Sequence, residues 1–306
     1  MRAATVRAQA KINLYLRVTG RESTGYHHLE TLFCRIDLAD GITVRLTPAA
    51  RTLDCAGPAL PRGGLGPVAE NLAWRAALAY SGVARWPAGF EIEIEKQIPV
   101  GAGLGGGSAD AGGVLRVLNA LNPRPIAEET LLGLARELGA DVPFLTHGST
   151  TLAHAWRRGD LWQEFPPLPE RTCLLVVPPV AVTTRDAYAW LDEARRWTTE
   201  TVSLEPISRP FREPRSWDDV RSKAHNDFEA VIFPRHQVIE ETCRILEEVA
   251  RRYEGGFARM SGSGSAVFAI LPVPTTPADL SIAVPTGART LVTRTSTRVE
   301  AVQPID

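Results

Sequence analysis

Strict alternation is clearest at Phe90 to Glu95, F-E-I-E-I-E, which sets Phe90, Ile92 and Ile94 on one face and three Glu on the other. A period of two predicts a half-solvated antiparallel strand. Ala4 to Val18 alternates less evenly around Ile12, Leu14 and Leu16 and predicts a strand that carries polar Lys11 and Asn13. Leu29 to Leu38 is a second apolar stretch, Ile42 to Leu46 resumes as strand, and Thr47 to Gly66, rich in Gly, Pro and Ala, predicts excursion loops over short strands. Helical spacing appears at Asn71 to Ser81, with Asn71 as N-cap, and at Ser108 to Leu121, Glu128 to Leu138, Arg185 to Arg196 and Val238 to Arg252. Gly139 is a stop signal for the third of these. Leu174 to Val177, Ala258 to Leu271 and Thr290 to Val292 complete the strands, and the Pro/Arg-rich Pro206 to Pro214 reads as a flexible surface loop.

This order lacks the regular βαβ alternation of a doubly wound sheet, so the expected class is α+β. A composition shift between His154 and Pro169 suggests two domains, 1–160 and 161–306.

Composition narrows the function. With 34 basic against 35 acidic residues in 306, there is no cationic excess to neutralise a nucleic acid backbone. No run approaches the roughly 20 apolar residues of a membrane span, and the start has no apolar segment with a small-residue cleavage site. A cytoplasmic protein with no nucleic acid and no membrane partner is therefore expected; nothing in the sequence fixes an oligomeric state. Cys34, Cys55, Cys173 and Cys243 lack CxxC spacing and neighbouring His, so they read as reduced fillers and no metal-ligating residues are assigned. Only Lys11, Lys96 and Lys223 among the 34 basic residues are Lys, so each is a candidate place for a compact ammonium.

Chemistry concentrates in Pro99-Val100-Gly101-Ala102-Gly103-Leu104-Gly105-Gly106-Gly107-Ser108-Ala109-Asp110, where five glycines lead into a helix start capped by Ser or Asp. Glycines let successive amides approach an anion, and the helix N-terminus adds partial positive charge, so a phosphate loop is expected. The alternative is a plain flexible hairpin. Gly101, Gly103 and Gly106 also fit G-x-G-x-x-G, but the strand before them alternates with Glu and no acidic-ended strand follows, which argues against dinucleotide binding. No Lys-Ser or Lys-Thr follows the glycines, which excludes a Walker loop.

Three further segments stand out. Gly139-Ala140-Asp141-Val142-Pro143-Phe144 holds a carboxylate between stiff flanks, although Asp141 could equally be an N-cap. Ala10-Lys11-Ile12-Asn13 puts an ammonium and an amide in an apolar strand, although Lys11 could snorkel from an edge. Arg259-Met260-Ser261-Gly262-Ser263-Gly264 is a small-residue turn beside a strand and suggests close backbone approach.

Together, in this order, the segments resemble the GHMP small-molecule kinase superfamily: a Lys-containing strand, a Pro-x-x-x-Gly-Leu-Gly-x-x-x-Ser loop and a late Ser-Gly-x-Gly turn. Gly25-Tyr26-His27 and Gly139 to Phe144 add a likeness to the branch that acts on a cytidine-diphosphate-linked methylerythritol in the non-mevalonate route to isoprenoid precursors. The resemblance implies a two-domain fold with the site between the domains, and ATP-dependent phosphorylation of that substrate's 2-hydroxyl, with Mg2+. The alternative acceptor is a non-nucleotide alcohol. By motif it implies Lys11 and Asp141 as the catalytic pair, Pro99 to Ala109 as the ATP loop, Tyr26 and His27 as cytosine readers and Asn13 as a substrate contact. It also implies Tyr188 on the opposite face of the base and Ser261, Gly262 and Gly264 at the substrate. Thr183-Thr184-Arg185-Asp186 departs from the usual Pro-Thr-Pro, Gln9 replaces a common Pro, and Ala109 replaces a second loop Ser. A nucleotide-binding module without catalysis would need neither Lys11 nor Asp141. In the kinase reading Asp141 accepts the hydroxyl proton and Lys11 orients it, while positioning and charge neutralisation do the rest.

Overall fold

The computed structural model describes residues 2–195, 213–273 and 282–305, so the Pro206 to Pro214 stretch lies almost wholly outside the described residues. Along the chain run β1 (Ala3–Arg21), β2 (His27–Thr47), β3 (Arg51–Ala56), α1 (Leu72–Ala84), β4 (Gly89–Glu95), α2 (Gly106–Leu121), α3 (Glu128–Leu138), α4 (Val142–Thr146), β5 (Leu152–Arg157) and β6 (Leu161–Phe165). Then follow β7 (Thr172–Val177), α5 (Thr184–Ala194), α6 (Trp217–Arg221), β8 (His225–Asn226), α7 (Glu229–Ile232), α8 (Gln237–Ala250), β9 (Phe257–Met260), β10 (Val267–Leu271), β11 (Arg289–Arg294) and β12 (Gln303–Ile305).

Two sheets organise these elements, both largely antiparallel, in keeping with an α+β class. The larger runs β12-β1-β2-β4-β3, with β5 on β2, β6 on β5 and β8 on β1; the smaller runs β11-β7-β10-β9. The division expected at 160/161 falls between β5 and β6, which pair with each other in the larger sheet. In β4, Phe90, Ile92 and Ile94 are buried while Glu93 and Glu95 are exposed, as the alternation requires. β4 is antiparallel to β2 but parallel to β3, a short strand that turns follow up to Gly66, as expected of this segment.

β1 joins both apolar cores. Ile12 and Leu14 pack with α1 and α2 residues, whereas Leu16 and Val18 pack among β7, α5, α8 and β10. The change from one core to the other falls after Tyr15, shortly beyond Lys11 and Asn13. Beneath them, α2 carries Gly112 and Gly113 in its middle. A Cβ at Gly112 would stand 2.8 Å from the Leu145 backbone, and one at Gly113 would stand 3.0 Å from Ile42. Each glycine costs about 1 kcal/mol of helix propensity relative to Ala. In return α2 lies directly against α4, the short helix that Asp141 precedes, with Leu145 against Gly112 and beside Gly105.

Candidate active site

Lys11 is 3% exposed. It does not snorkel from an edge: β2 pairs on one side, and on the other the Lys11 amide donates to the Leu104 carbonyl of the glycine loop at 3.0 Å. Its Nζ donates to Asn13 Oδ1 at 2.7 Å and lies 3.1 Å from Asp141 Oδ2. Asn13 Nδ2 in turn donates to Thr31 Oγ1 at 2.8 Å. Asn13 thus serves first to orient Lys11, and its amide is largely committed within the protein.

Asp141 stands at the N-cap position of α4, but its carboxylate makes no capping hydrogen bond. Its side chain is 29% exposed against 4% for Lys11, so the ammonium is fixed from below while the carboxylate faces outward. α4 is held from its other end. The buried Arg35 guanidinium donates to the carbonyls of Phe144 at 2.5 Å, His147 at 3.0 Å and Thr150 at 2.9 Å. Burial pushes the Arg35 pKa down to about 9.

The loop from Pro99 to Gly105 turns its carbonyls inward. Ala102 accepts from the Ala266 amide at 3.1 Å, Gly103 from Ser261 Oγ at 3.0 Å and Leu104 from Lys11. Helix α2 starts at Gly106, two residues before the expected start, with Gly105 in the left-handed region as N-cap and no side-chain cap. The expected Ser or Asp cap is therefore wrong. Ser108 is half-buried within the first turn, and Asp110 is buried. The first-turn amides have no partners within a helix, so this end suits an anion. Pro99 is buried and Val100 exposed. Ala109 is 1% exposed and packs in the core, so of these two neighbours only Ser108 can face a ligand. Glycine here does more than admit phosphate: a Cβ on Gly103 would stand 2.1 Å from the Ser261 carbonyl, and one on Gly105 would stand 3.1 Å from Lys11 Cε. Gly101 and Gly107 face open space, with nothing nearer than 3.8 Å to a Cβ on either.

The late turn is a buttress. Ser261, Gly262 and Gly264 are all buried, Ser261 is spent on Gly103, and Asn226 Nδ2 donates to the Met260 and Gly262 carbonyls at 2.8 Å each. The structure therefore places these residues behind the loop, where they present no open surface to substrate. Ser263 Oγ lies 3.1 Å from Thr184 Oγ1 and ties the turn to the start of α5.

On α5, Tyr188 stacks on His27 with ring centroids 4.4 Å apart and meets Phe228 edge-on. Burial, with Asp141 adding, pushes the Tyr188 phenol up. His27 Nε2 lies 2.6 Å from Asp192 Oδ1. Tyr26 is 59% exposed, with the Arg158 guanidinium 4.1 Å over its ring. The facing pair is thus Tyr188 with His27, not Tyr188 with Tyr26. Sequence reasoning missed Asp192 and Asn226, because a single Asp or Asn carries no local pattern; only the α5 periodicity, which puts Asp192 one turn beyond Tyr188, could have raised the first.

A buried ammonium against an outward carboxylate at the mouth of a glycine-loop helix, on this two-sheet frame, defines a GHMP-type small-molecule kinase, an ATP-dependent enzyme. The profile of the GHMP kinases N terminal domain matches residues 71–149. The 4-diphosphocytidyl-2-C-methyl-D-erythritol kinase of Solibacter usitatus is 36% identical over 271 residues, 88% of this chain and 81% of that protein. A crystal structure of 4-(cytidine 5'-diphospho)-2C-methyl-D-erythritol kinase is similar at a TM-score of 0.67 and 33% identity, over 95% of this chain and 99% of that one. Homoserine kinase from Cytophaga hutchinsonii shares the fold at a TM-score of 0.66 and 17% identity, over 99% of this chain and 98% of that one. The chain belongs to the 4-diphosphocytidyl-2-C-methyl-D-erythritol kinase family.

Proposed function

We propose that the chain transfers the γ-phosphoryl group of ATP to the 2-hydroxyl of 4-diphosphocytidyl-2-C-methyl-D-erythritol. The observation that carries the chemistry is the 3.1 Å contact of Lys11 with Asp141, one partner buried and the other turned outward. Asp141 accepts the proton as the hydroxyl oxygen attacks phosphorus, and the bond to the ADP oxygen breaks. Lys11, held by Asn13, fixes the carboxylate and adds positive charge where phosphoryl oxygens gather. Pro99 to Ser108 hold the ATP phosphates through backbone amides, Ser108 and the α2 dipole, with the Ser261 turn as their support.

Among the described residues, no three His, Cys, Asp or Glu side chains come together to hold a metal ion. Mg2+ would supply charge neutralisation at the ATP phosphates, and Asp141 and Ser108 are the residues that would hold it there. Tyr26, His27 and Tyr188 receive the cytosine, and Asp192 fixes the His27 ring. No helix among the described residues is long and apolar enough to cross a membrane; a cytoplasmic location is part of the proposal.

Asp141→Asn tests the assignment. The amide keeps the volume but accepts no proton, so turnover measured as ADP release falls on the order of a hundredfold or more with ATP affinity little changed. Near-native turnover in this variant removes Asp141 from the role of base.

A further inference from the structure

Lys96, Asp40 and Asp110 are 1%, 0% and 2% exposed and stand apart from the catalytic pair. Lys96 Nζ donates to Asp40 Oδ2 and, at 2.6 Å, to Asp110 Oδ2. The other Asp40 oxygen accepts the amides of Gln97 at 2.6 Å and Ile98 at 2.8 Å. Asp110 Oδ1 is buried with no hydrogen-bond partner among the described residues. A buried ion cluster is weak evidence for stability, since apolar residues of like volume often do as well. What this cluster does have is placement: the glycine loop leaves the sheet at Gln97 and Ile98 and enters α2 at Gly106, one turn before Asp110, so the cluster grips both sides of the loop.

We infer that Lys96, Asp40 and Asp110 form a charged staple that closes the two ends of the glycine loop on the sheet and so positions the loop for ATP. Asp40 on β2 anchors the outgoing strand. Lys96, the residue after β4, bridges it to the first turns of α2. The bridge also sets the approach of the loop ends, where a Cβ on Gly106 would stand 3.1 Å from Ile98 and 3.6 Å from Lys96 Nζ. Burial works against the Lys96 ammonium, but Asp110 and Asp40 outweigh it and hold its pKa above the ordinary value. Burial pushes Asp110 up to about 8 against the pull of Lys96. These three are positioning residues, and their role rests on the reading that Pro99 to Ser108 hold ATP.

The test compares Asp110→Ala, which cuts the staple but leaves the Lys96–Asp40 pair, with Asp110→Asn, which keeps an acceptor for Lys96. In the full-length enzyme, Asp110→Ala raises the ATP KM roughly tenfold or more, as a misplaced binding element does, with the acceptor KM unchanged. Asp110→Asn stays within about twofold of the native ATP KM, because one oxygen suffices for Lys96. Asp110→Leu replaces the carboxyl by apolar volume while leaving the Lys96–Asp40 pair, guards against a folding failure in the Ala variant, and shows the same rise in ATP KM. A native ATP KM in the folded Ala or Leu variant, or equal rises for both substrates, overturns the staple. Gly107→Glu puts a carboxylate at the open first turn of α2, where it suits the helix but repels phosphate. If that variant binds ATP normally, the loop reading itself fails; if it loses ATP while the staple variants keep it, only the staple fails.

Discussion

Gly103→Ala should do far more damage than Gly101→Ala, although both glycines have left-handed backbones, at φ +77° and +70°. A methyl at Gly101 meets nothing within 4 Å, so its cost is the left-handed penalty alone, about 1–2 kcal/mol. A methyl at Gly103 would stand 2.1 Å from the Ser261 carbonyl and 3.1 Å from that of Gly264, where ordinary contact begins at 3.4 Å. The loop and turn must part by the difference between 3.4 and 2.1, about 1.3 Å. That motion breaks the 3.0 Å bond from Ser261 Oγ to Gly103 and strains the 3.1 Å bond from Ala266 to Ala102, about 1 kcal/mol each. The total is about 3–4 kcal/mol if the turn holds. If the loop yields instead, a displacement near 1 Å costs about a hundredfold in kcat/KM. Urea unfolding and ADP-release kinetics on both variants read the two routes. Equal stability and kcat/KM for the two alanine variants would refute the claim that the Ser261 turn supports the ATP loop.

Lys11→Arg should lose on the order of a hundredfold in turnover, because the site around Cε is closed by Gly105 and a forked guanidinium cannot replace a compact ammonium; full activity by ADP release would show that charge alone suffices. His154, on β5, is buried and its pKa is held down to about 4 by burial. Its folded pKa lies below the unfolded 6.5, so its contribution is present above pH 6.5 and is lost as pH falls toward 4, on the order of 3 kcal/mol. Urea midpoints should therefore fall less over that window in His154→Phe, and identical pH slopes contradict the assignment. Tyr188→Ala should cost about 1–3 kcal/mol in binding of the cytidine acceptor, the scale of a lost stacking face, while ATP KM stays native; titration calorimetry reads it, and an unchanged acceptor Kd removes Tyr188 from the base site.

What the sequence disclosed follows from how locally each feature is encoded. The β4 alternation and the glycine loop were legible because period two and turn chemistry act within a few residues. The start of α2 was misplaced because Gly105 caps through its backbone, where a Ser or Asp side chain was expected. Lys11 was found by its oddity in an apolar strand, but its burial depends on the Leu104 carbonyl almost a hundred positions away. Ser261, Gly262 and Gly264 were correctly singled out for close approach, and the partner in that approach is the loop. The Asp192 contact with His27 and the cluster around Lys96 join residues from separate elements, so no local window contains them. The rarity of Lys was the one hint toward Lys96, and it gave no partner.

The central claim is tested most directly by coupled ADP release across acceptors: 4-diphosphocytidyl-2-C-methyl-D-erythritol, its uridine counterpart, homoserine and mevalonate. The account predicts that kcat/KM for the cytidine compound exceeds that for the uridine compound, and that homoserine and mevalonate give no turnover above background. It also predicts that His27→Ala narrows the cytidine preference, since the base's hydrogen-bonding groups lose their partner. Phosphorylation of homoserine or mevalonate at a comparable rate, or no preference for cytidine over uridine, would contradict the account and assign the site to a non-nucleotide alcohol.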